Sequence, residues 1–454
     1  MDLLDALLRD TACAARFTTT ATLQGMLDFE AALAAAEAAV GVIPAAAAAP
    51  IAAACDASLI DREALRDAAG PAGNLAIPLV KQLTAQVKQR DEDAARFVHW
   101  GATSQDAIDT GLMLQLRGAL DDLDADLSGL IAALVTAVRA HRDTVMVGRT
   151  WMQHALPITF GLKLAGTLDA VWRLHGQLGV IRAEVPCLQF GGAAGTLASL
   201  GDKGAAVSQR LAVRLGLNAP ATPWHGQRDR IARVAAFAAT LTGTLGKLAR
   251  DVSLMAQTEI SEVAEAGAPG RGGSSTMPHK RNPVGCAVIL AAAQRTPHLV
   301  ATIFSAMPQE HERGLGGWHA EWETLPDLLM LCGGALDASV ALVEGLEVFP
   351  ERMRANLGAT RSLIMAEAVT MALGASIGRL EAHRIVETKC REAVATGREL
   401  LDVLRDDPMV TSALPGDALT RLFSPDNYLG AAGTFVDRVL AQVATPPVPL
   451  EDAS

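Results

Sequence analysis

Gly273-Ser274-Ser275-Thr276-Met277-Pro278-His279-Lys280-Arg281-Asn282-Pro283 is the stretch around which the rest of the chain is organised. Gly267-Ala268-Pro269-Gly270-Arg271-Gly272 precedes it, a run too rich in glycine to hold a stable helix, so the region reads as a loop. After Pro283 an apolar run begins at Val284 and pins the loop at one end. Within it stand two adjacent hydroxyls, a lysine, an arginine and a carboxamide. Such a set puts a base or nucleophile candidate beside cations and N–H donors suited to a carboxylate. A solvated basic loop would use the same residue types, so only the ordered pattern separates the two readings.

Composition narrows what the surrounding protein can be. The chain has 454 residues, enough for two or three domains or one elongated body. Half of them are hydrophobic, only 4% are aromatic, and there is a single Tyr, the profile of a large helical protein with closely approaching helices. Thirty-nine Lys and Arg against 50 Asp and Glu leave a net charge of −11. That balance argues against nucleic acid or an anionic membrane as partner, and a small anionic substrate then needs a local cationic pocket. The six cysteines, Cys13, Cys55, Cys187, Cys286, Cys332 and Cys390, show no C-x-x-C spacing and read as buried free thiols of a reducing compartment. No basic leader follows Met1, and each long apolar run carries a charge, Pro or Gly break, so a cytoplasmic protein without a membrane span is expected. No His, Cys, Asp and Glu cluster has metal-ligand spacing, so neither a catalytic metal nor a cofactor is expected.

Residues 1–103 read as a small domain of short helices. Thr20 can cap a helix to Val40 with Gly41 at its end, and Asp61 can cap one from Arg62 to Ala69. From Ser104 a helix can run without Pro to about Arg142, roughly 60 Å at 1.5 Å per residue. Similar long helices are expected over 152–184, 227–260, 284–307 and 321–346, several of them apolar on more than one face. Such helices need covering on two sides, so residues 104–350 read as a bundle that continues across subunits. Shorter helices return in 351–454, and no β alternation stands out.

The loop resembles the pattern G-S-S-x-M-P-x-K-x-N-P of the fumarase/aspartase superfamily, with every fixed position present. Three further blocks follow that family's order. His99-Trp100-Gly101-Ala102-Thr103-Ser104-Gln105-Asp106 places hydroxyls and backbone amides at a helix N-terminus, which favours an anion. Gly148-Arg149-Thr150-Trp151-Met152-Gln153-His154-Ala155-Leu156-Pro157 is similar to G-R-T-H-x-Q-x-A-x-P, but with Trp151 where the family has a histidine. Gln309-Glu310-His311-Glu312-Arg313 aligns with a block that supplies a substrate arginine.

The resemblance implies an all-α, three-part fold with a central long-helix bundle, and a homotetramer whose active sites each draw on three chains. It implies Ser274 as catalytic base and Lys280 as the cation that activates it and holds a carboxylate. His99, Thr103, Ser104, Arg149, Thr150, Gln153, Asn282 and Arg313 become substrate contacts. The family's missing histidine is usually paired with a glutamate, here Glu265, whose role is put in doubt.

Members of this superfamily remove a proton beside a carboxylate and expel a group from the neighbouring carbon, or add it in reverse. The blocks around His99, Trp151 and Trp318-His319-Ala320-Glu321-Trp322 resemble those of the 3-carboxy-cis,cis-muconate cycloisomerases, near the adenylosuccinate lyase-like branch. Their substrate is a small tricarboxylate, and their leaving group is itself a carboxylate, stable without a proton near neutral pH. An indole packed at position 151 is compatible with that chemistry, whereas a leaving nitrogen would need an acid there. Alternatives are another lyase acting on a succinate adduct, or a silent scaffold. A scaffold has no physical use for Ser274, Lys280 and Asn282.

Overall fold

The computed structural model describes residues 3–267, 272–273, 277 and 280–444. Ser274 therefore lies outside the described residues. The fold is all-α, with five helices of 23 to 37 residues: Ser104–Ala140, Phe160–Glu184, Asp229–Met255, Val284–Ala306 and Gly317–Glu344. Four of the five starts fall within a few residues of expectation.

The fifth differs. The stretch expected as the start of a helix over 152–184 instead completes an antiparallel hairpin, Val145–Thr150 paired with Gln153–Thr159. Pro157 would break a helix there. The side chain of Thr159 then accepts from the Leu162 N–H at 3.1 Å and caps Phe160–Glu184, so the helix starts late. Smaller shifts follow the same capping logic. Thr18, not Thr20, caps Thr19–Val40, and the helix begun at Asp61 continues through Pro71 to Ala72 before Gly73 ends it.

Val284–Ala306 and Gly317–Glu344 are long and apolar enough, by length and composition, to cross a membrane. Each is interrupted by a proline, Pro297 or Pro326. Gly317–Glu344 is mostly buried within its own chain, whereas in Val284–Ala306 only about a fifth of the apolar window is buried.

The chain divides into two compact units, each built from three segments. The first comprises 1–128, 174–246 and 288–338, the second 129–173, 247–287 and 339–454. In the first unit, Thr19–Val40 meets the Ser104–Ala140 helix at two glycines. A Cβ on Gly25 would stand 2.9 Å from the Gly111 carbonyl oxygen, so only glycine permits this approach. The close crossing brings the middle of Thr19–Val40, with Phe29 and Glu30, up to the start of the longer helix. In the second unit, Val145 and Val147 of the hairpin pack on Leu357, Ile364, Met365 and Ala368, and a further core gathers Val369, Leu373, Val386, Leu400 and Val403.

Candidate active site

In the first unit the site grows from the N-terminus of the Ser104–Ala140 helix. Arg313 Nη1 donates to Thr103 Oγ1 at 2.7 Å, Nη2 to Ser104 Oγ at 3.2 Å, and Nε to Gln105 Oε1 at 3.3 Å. Three of the residues expected to bind substrate are thus assembled from positions 210 residues apart. Each hydroxyl accepts from the guanidinium and keeps its own O–H to donate. Polarised hydroxyls at a helix N-terminus, backed by a fixed cation, have the chemistry that suits a carboxylate.

A buried polar network holds this cluster. The Asp106 carboxylate accepts from the backbone N–H groups of Thr103, Gly191 and Gly192 at 3.1, 3.0 and 2.9 Å. It also lies 2.7 Å from His225 Nε2. One turn on, Asp109 accepts from Arg228 Nη1 at 2.7 Å, Trp318 Nε1 at 3.0 Å and Gln105 Nε2 at 3.1 Å. Arg228 also donates to Glu321, and both partners are almost wholly buried. Burial, against the opposing pull of Arg228, holds the Glu321 carboxyl above its ordinary range. His99 stands on the same turn with φ +58, its Nδ1 2.6 Å from Glu30 Oε1.

In the second unit Lys280 and Asn282 line a cleft of about 710 Å³, together with Ser253, Gln257 and Glu265. The loop base is tied where Asn282 N–H donates to the Gly272 carbonyl at 2.9 Å and Gly273 bridges Arg281. Arg281 makes a two-pronged pair with Glu347, at 2.9 and 2.6 Å, and also donates to the Glu265 carbonyl. Glu265 has a place without the histidine: its carboxylate accepts from Gly285 N–H at 3.0 Å and Cys286 N–H at 2.9 Å, capping Val284–Ala306.

Arg149 turns its fork to Glu262, at 2.8 and 2.7 Å, and Glu262 also accepts from Asn356. Thr150 and Gln153 are exposed at the hairpin tip, flanking Trp151 and Met152. Trp151 is 96% exposed and Met152 72%, at φ +52 and +64, so the packed indole expected at position 151 is not found within one chain.

Asp106, Asp109, His225, Arg228, Glu321, Glu30 and Glu262 were not singled out from the sequence. Asp106 and Asp109 sit inside the block that drew attention to Thr103. Glu30 gives a local signal too, as an acid among the apolar positions of Leu27, Phe29, Leu33 and Ala34.

With that geometry in place, the comparisons with known proteins are specific. Residues 9–297 match the family model described as Lyase, and 362–439 the one described as Adenylosuccinate lyase C-terminus. The chain belongs to the fumarase/aspartase superfamily of lyases. A 3-carboxy-cis,cis-muconate cycloisomerase of Pseudomonas aeruginosa is 55% identical over 440 residues, 97% of this chain and 96% of that relative. A protein of the same description from Bradyrhizobium diazoefficiens is 54% identical over 438 residues, 96% of this chain and 97% of its own. Among solved structures, the 3-carboxy-cis,cis-muconate lactonizing enzyme of Pseudomonas putida superposes with a TM-score of 0.92 at 50% identity, covering 97% of this chain and 98% of its own.

Proposed function

We propose that this enzyme interconverts 3-carboxy-cis,cis-muconate and its lactone, 4-carboxymuconolactone, an isomerase step in the protocatechuate (beta-ketoadipate) branch of aromatic catabolism. The observation that carries the reading is the cluster of Arg313, Thr103 and Ser104, whose chemistry suits a carboxylate, in a chain more than half identical to a cycloisomerase.

In ring closure a substrate carboxylate oxygen attacks a carbon of the conjugated diene and forms the C–O bond. The displaced electron pair moves onto the carbon beside another carboxylate, which is held as an enediolate. That carbon then takes a proton, and ring opening reverses each step. Ser274 is the proton carrier in this proposal. A neutral serine is a poor base, so the charge of Lys280 activates it and also holds the growing negative charge, with Asn282 adding a donor. The attacking or departing oxygen is a carboxylate throughout, and no acid is needed where Trp151 stands.

The working unit in this proposal is a cytoplasmic homotetramer whose active sites are each shared by three chains. The little-buried apolar helix Val284–Ala306, with Val284 and Phe304 exposed, and the exposed, strained tip at Trp151 and Met152 support it, since these are apolar side chains that a second copy would cover.

The test is to offer 3-carboxymuconate and adenylosuccinate to the purified protein side by side and follow each chromophore. Loss of the muconate signal alone is expected, and turnover of adenylosuccinate alone would overturn the assignment. Ser274→Ala should lower turnover by roughly 10²–10⁴-fold while substrate still binds, and a near-normal rate would move the base elsewhere.

A further inference from the structure

Glu30 is 1% exposed among the buried apolar residues Met26, Leu27, Phe29, Leu33 and Ala34 of its helix, with Glu37 two turns on, and the histidine it holds has a left-handed backbone. Burying a carboxylate costs several kcal/mol unless it is paired, of order several in real proteins, and a non-glycine residue at positive φ adds strain of about 1–3 kcal/mol. Two costs of this size meet at one imidazole. The carboxylate occupies His99 Nδ1 at 2.6 Å, while the side chain of His99 remains 18% exposed. Nε2 is thus the ring nitrogen left for a ligand.

We propose that Glu30 is a positioning residue for the reaction: it fixes the His99 ring and keeps it cationic, so that Nε2–H donates to a carboxylate of the substrate. The inference rests on the tricarboxylate reading above and extends it to a residue outside every motif. Burial works against a charged His99, but the Glu30 carboxylate, its hydrogen bond and the more distant Asp106 outweigh it and hold His99 above the ordinary histidine range.

The charged groups on each neighbouring element are consistent with one cation facing one anion. On the Glu30 helix, Glu37 is buried with neither oxygen hydrogen-bonded among the described residues, and burial with Glu30 beside it pushes its carboxyl up to about 8. Burial thus favours the protonated form of Glu37 beside Glu30. From the Ser104–Ala140 helix comes Asp106, already engaged by His225. The turn Ala198–Lys203 packs on Gly101 through Leu200 and Ser199; its Asp202 is exposed, and its Lys203 donates to the Gly41 carbonyl. On the preceding Ala94–Phe97 turn, Arg96 is paired outward with Asp93.

The deciding experiment is an NMR titration of the His99 ring in full-length wild type and Glu30→Gln, beside steady-state kinetics on 3-carboxymuconate. Glu30→Gln should lower the His99 midpoint by roughly one to three pH units, the effect of removing an adjacent opposite charge. At pH 7.5 its KM should rise about 10-fold or more, as for loss of a charge-assisted hydrogen bond, with kcat changed far less. An unmoved midpoint, or a fall in kcat with KM unchanged, overturns the role. Should Glu30→Gln fail to assemble, Glu30→Asp serves: the charge stays but its reach shortens, so KM should rise while His99 still titrates high, and an unchanged KM overturns the proposal. A wild type that ignores 3-carboxymuconate defeats the functional reading, whereas the His99 titration judges Glu30 independently of substrate.

Discussion

The turn from His99 to Asp106 and the hairpin tip from Arg149 to Gln153 are both strained, and they are supported in opposite ways. Each carries left-handed residues, His99 and Gly101 in one, Trp151 and Met152 in the other. Around the first, Asp106 gathers three backbone N–H groups and His225, Glu30 holds the imidazole, and Arg313 closes over Thr103 and Ser104. The tip projects two large apolar side chains into solvent, and Arg149 behind it is anchored to Glu262. Strain at the turn is compensated inside the chain. Strain at the tip has no such compensation among the described residues, and this contrast is what an assembled oligomer would resolve.

The largest effect should come from Asp106→Ala. It leaves the buried N–H groups of Gly191 and Gly192, the half-buried N–H of Thr103 and His225 without their acceptor, each unsatisfied buried group costing about 1–3 kcal/mol, so a loss above about 4 kcal/mol is expected by denaturant unfolding. A variant as stable as wild type would remove the claim that the turn is held from within.

Gly101→Ala probes the same turn more gently. A Cβ there would stand 2.6 Å from Leu200 Cδ2 at φ +71, and a loss of about 2–3 kcal/mol is expected. Unchanged stability would mean that the Ala198–Lys203 turn gives way freely.

The tip should behave in the opposite sense. Trp151→Asn combined with Met152→Gly supplies the residues that a two-residue hairpin turn prefers, and should stabilise the fold by about 1 kcal/mol. It also removes the exposed apolar pair, so turnover of 3-carboxymuconate should fall and sedimentation should show weaker assembly. A double variant that is both fully active and tetrameric would show the tip to be dispensable.

The remaining contrast between the two regions is in pH. A carboxyl raised in the folded state keeps its proton longer there than in the unfolded chain, so stability falls as pH rises from its ordinary value of 4.5 towards about 8. Glu37→Gln should remove that slope, leaving stability nearly unchanged at pH 4 and higher by roughly 1–3 kcal/mol at pH 8.5. The same measurement on the tip variant should show no new slope. Parallel pH profiles for wild type and Glu37→Gln would place the excess charge elsewhere.

Much of this was legible in the chain itself. Long apolar periodicity announced the helices, because a two-faced pattern of period 3.6 leaves a helix no other stable surroundings. The blocks at 99–106 and 273–283 pointed to carboxylate-binding candidates, because hydroxyls at a helix start and a clustered Lys and Asn suit that ligand; of these, the structure describes Thr103 and Ser104 beside Arg313. The hairpin escaped because Trp151-Met152 is not turn chemistry, and the apolar residues on either side serve a helix as readily as a strand. Glu265 was doubted as a partner without its histidine, and its capping of Val284–Ala306 depends on a chain reversal that spacing does not reveal.

The sequence by itself determined the helical class, the lyase family and the identity of the cation and hydroxyl candidates, since these depend on periodicity and on residue types in fixed local order. Only the tertiary structure decided which acids are partners. Glu30 meets His99 across 69 positions, Asp109 meets Arg228 across 119, and Arg313 meets Thr103 across 210. A buried charge is stable only where folding brings its counter-charge within hydrogen-bonding distance, and that proximity is a property of packed helices rather than of any local run of residues.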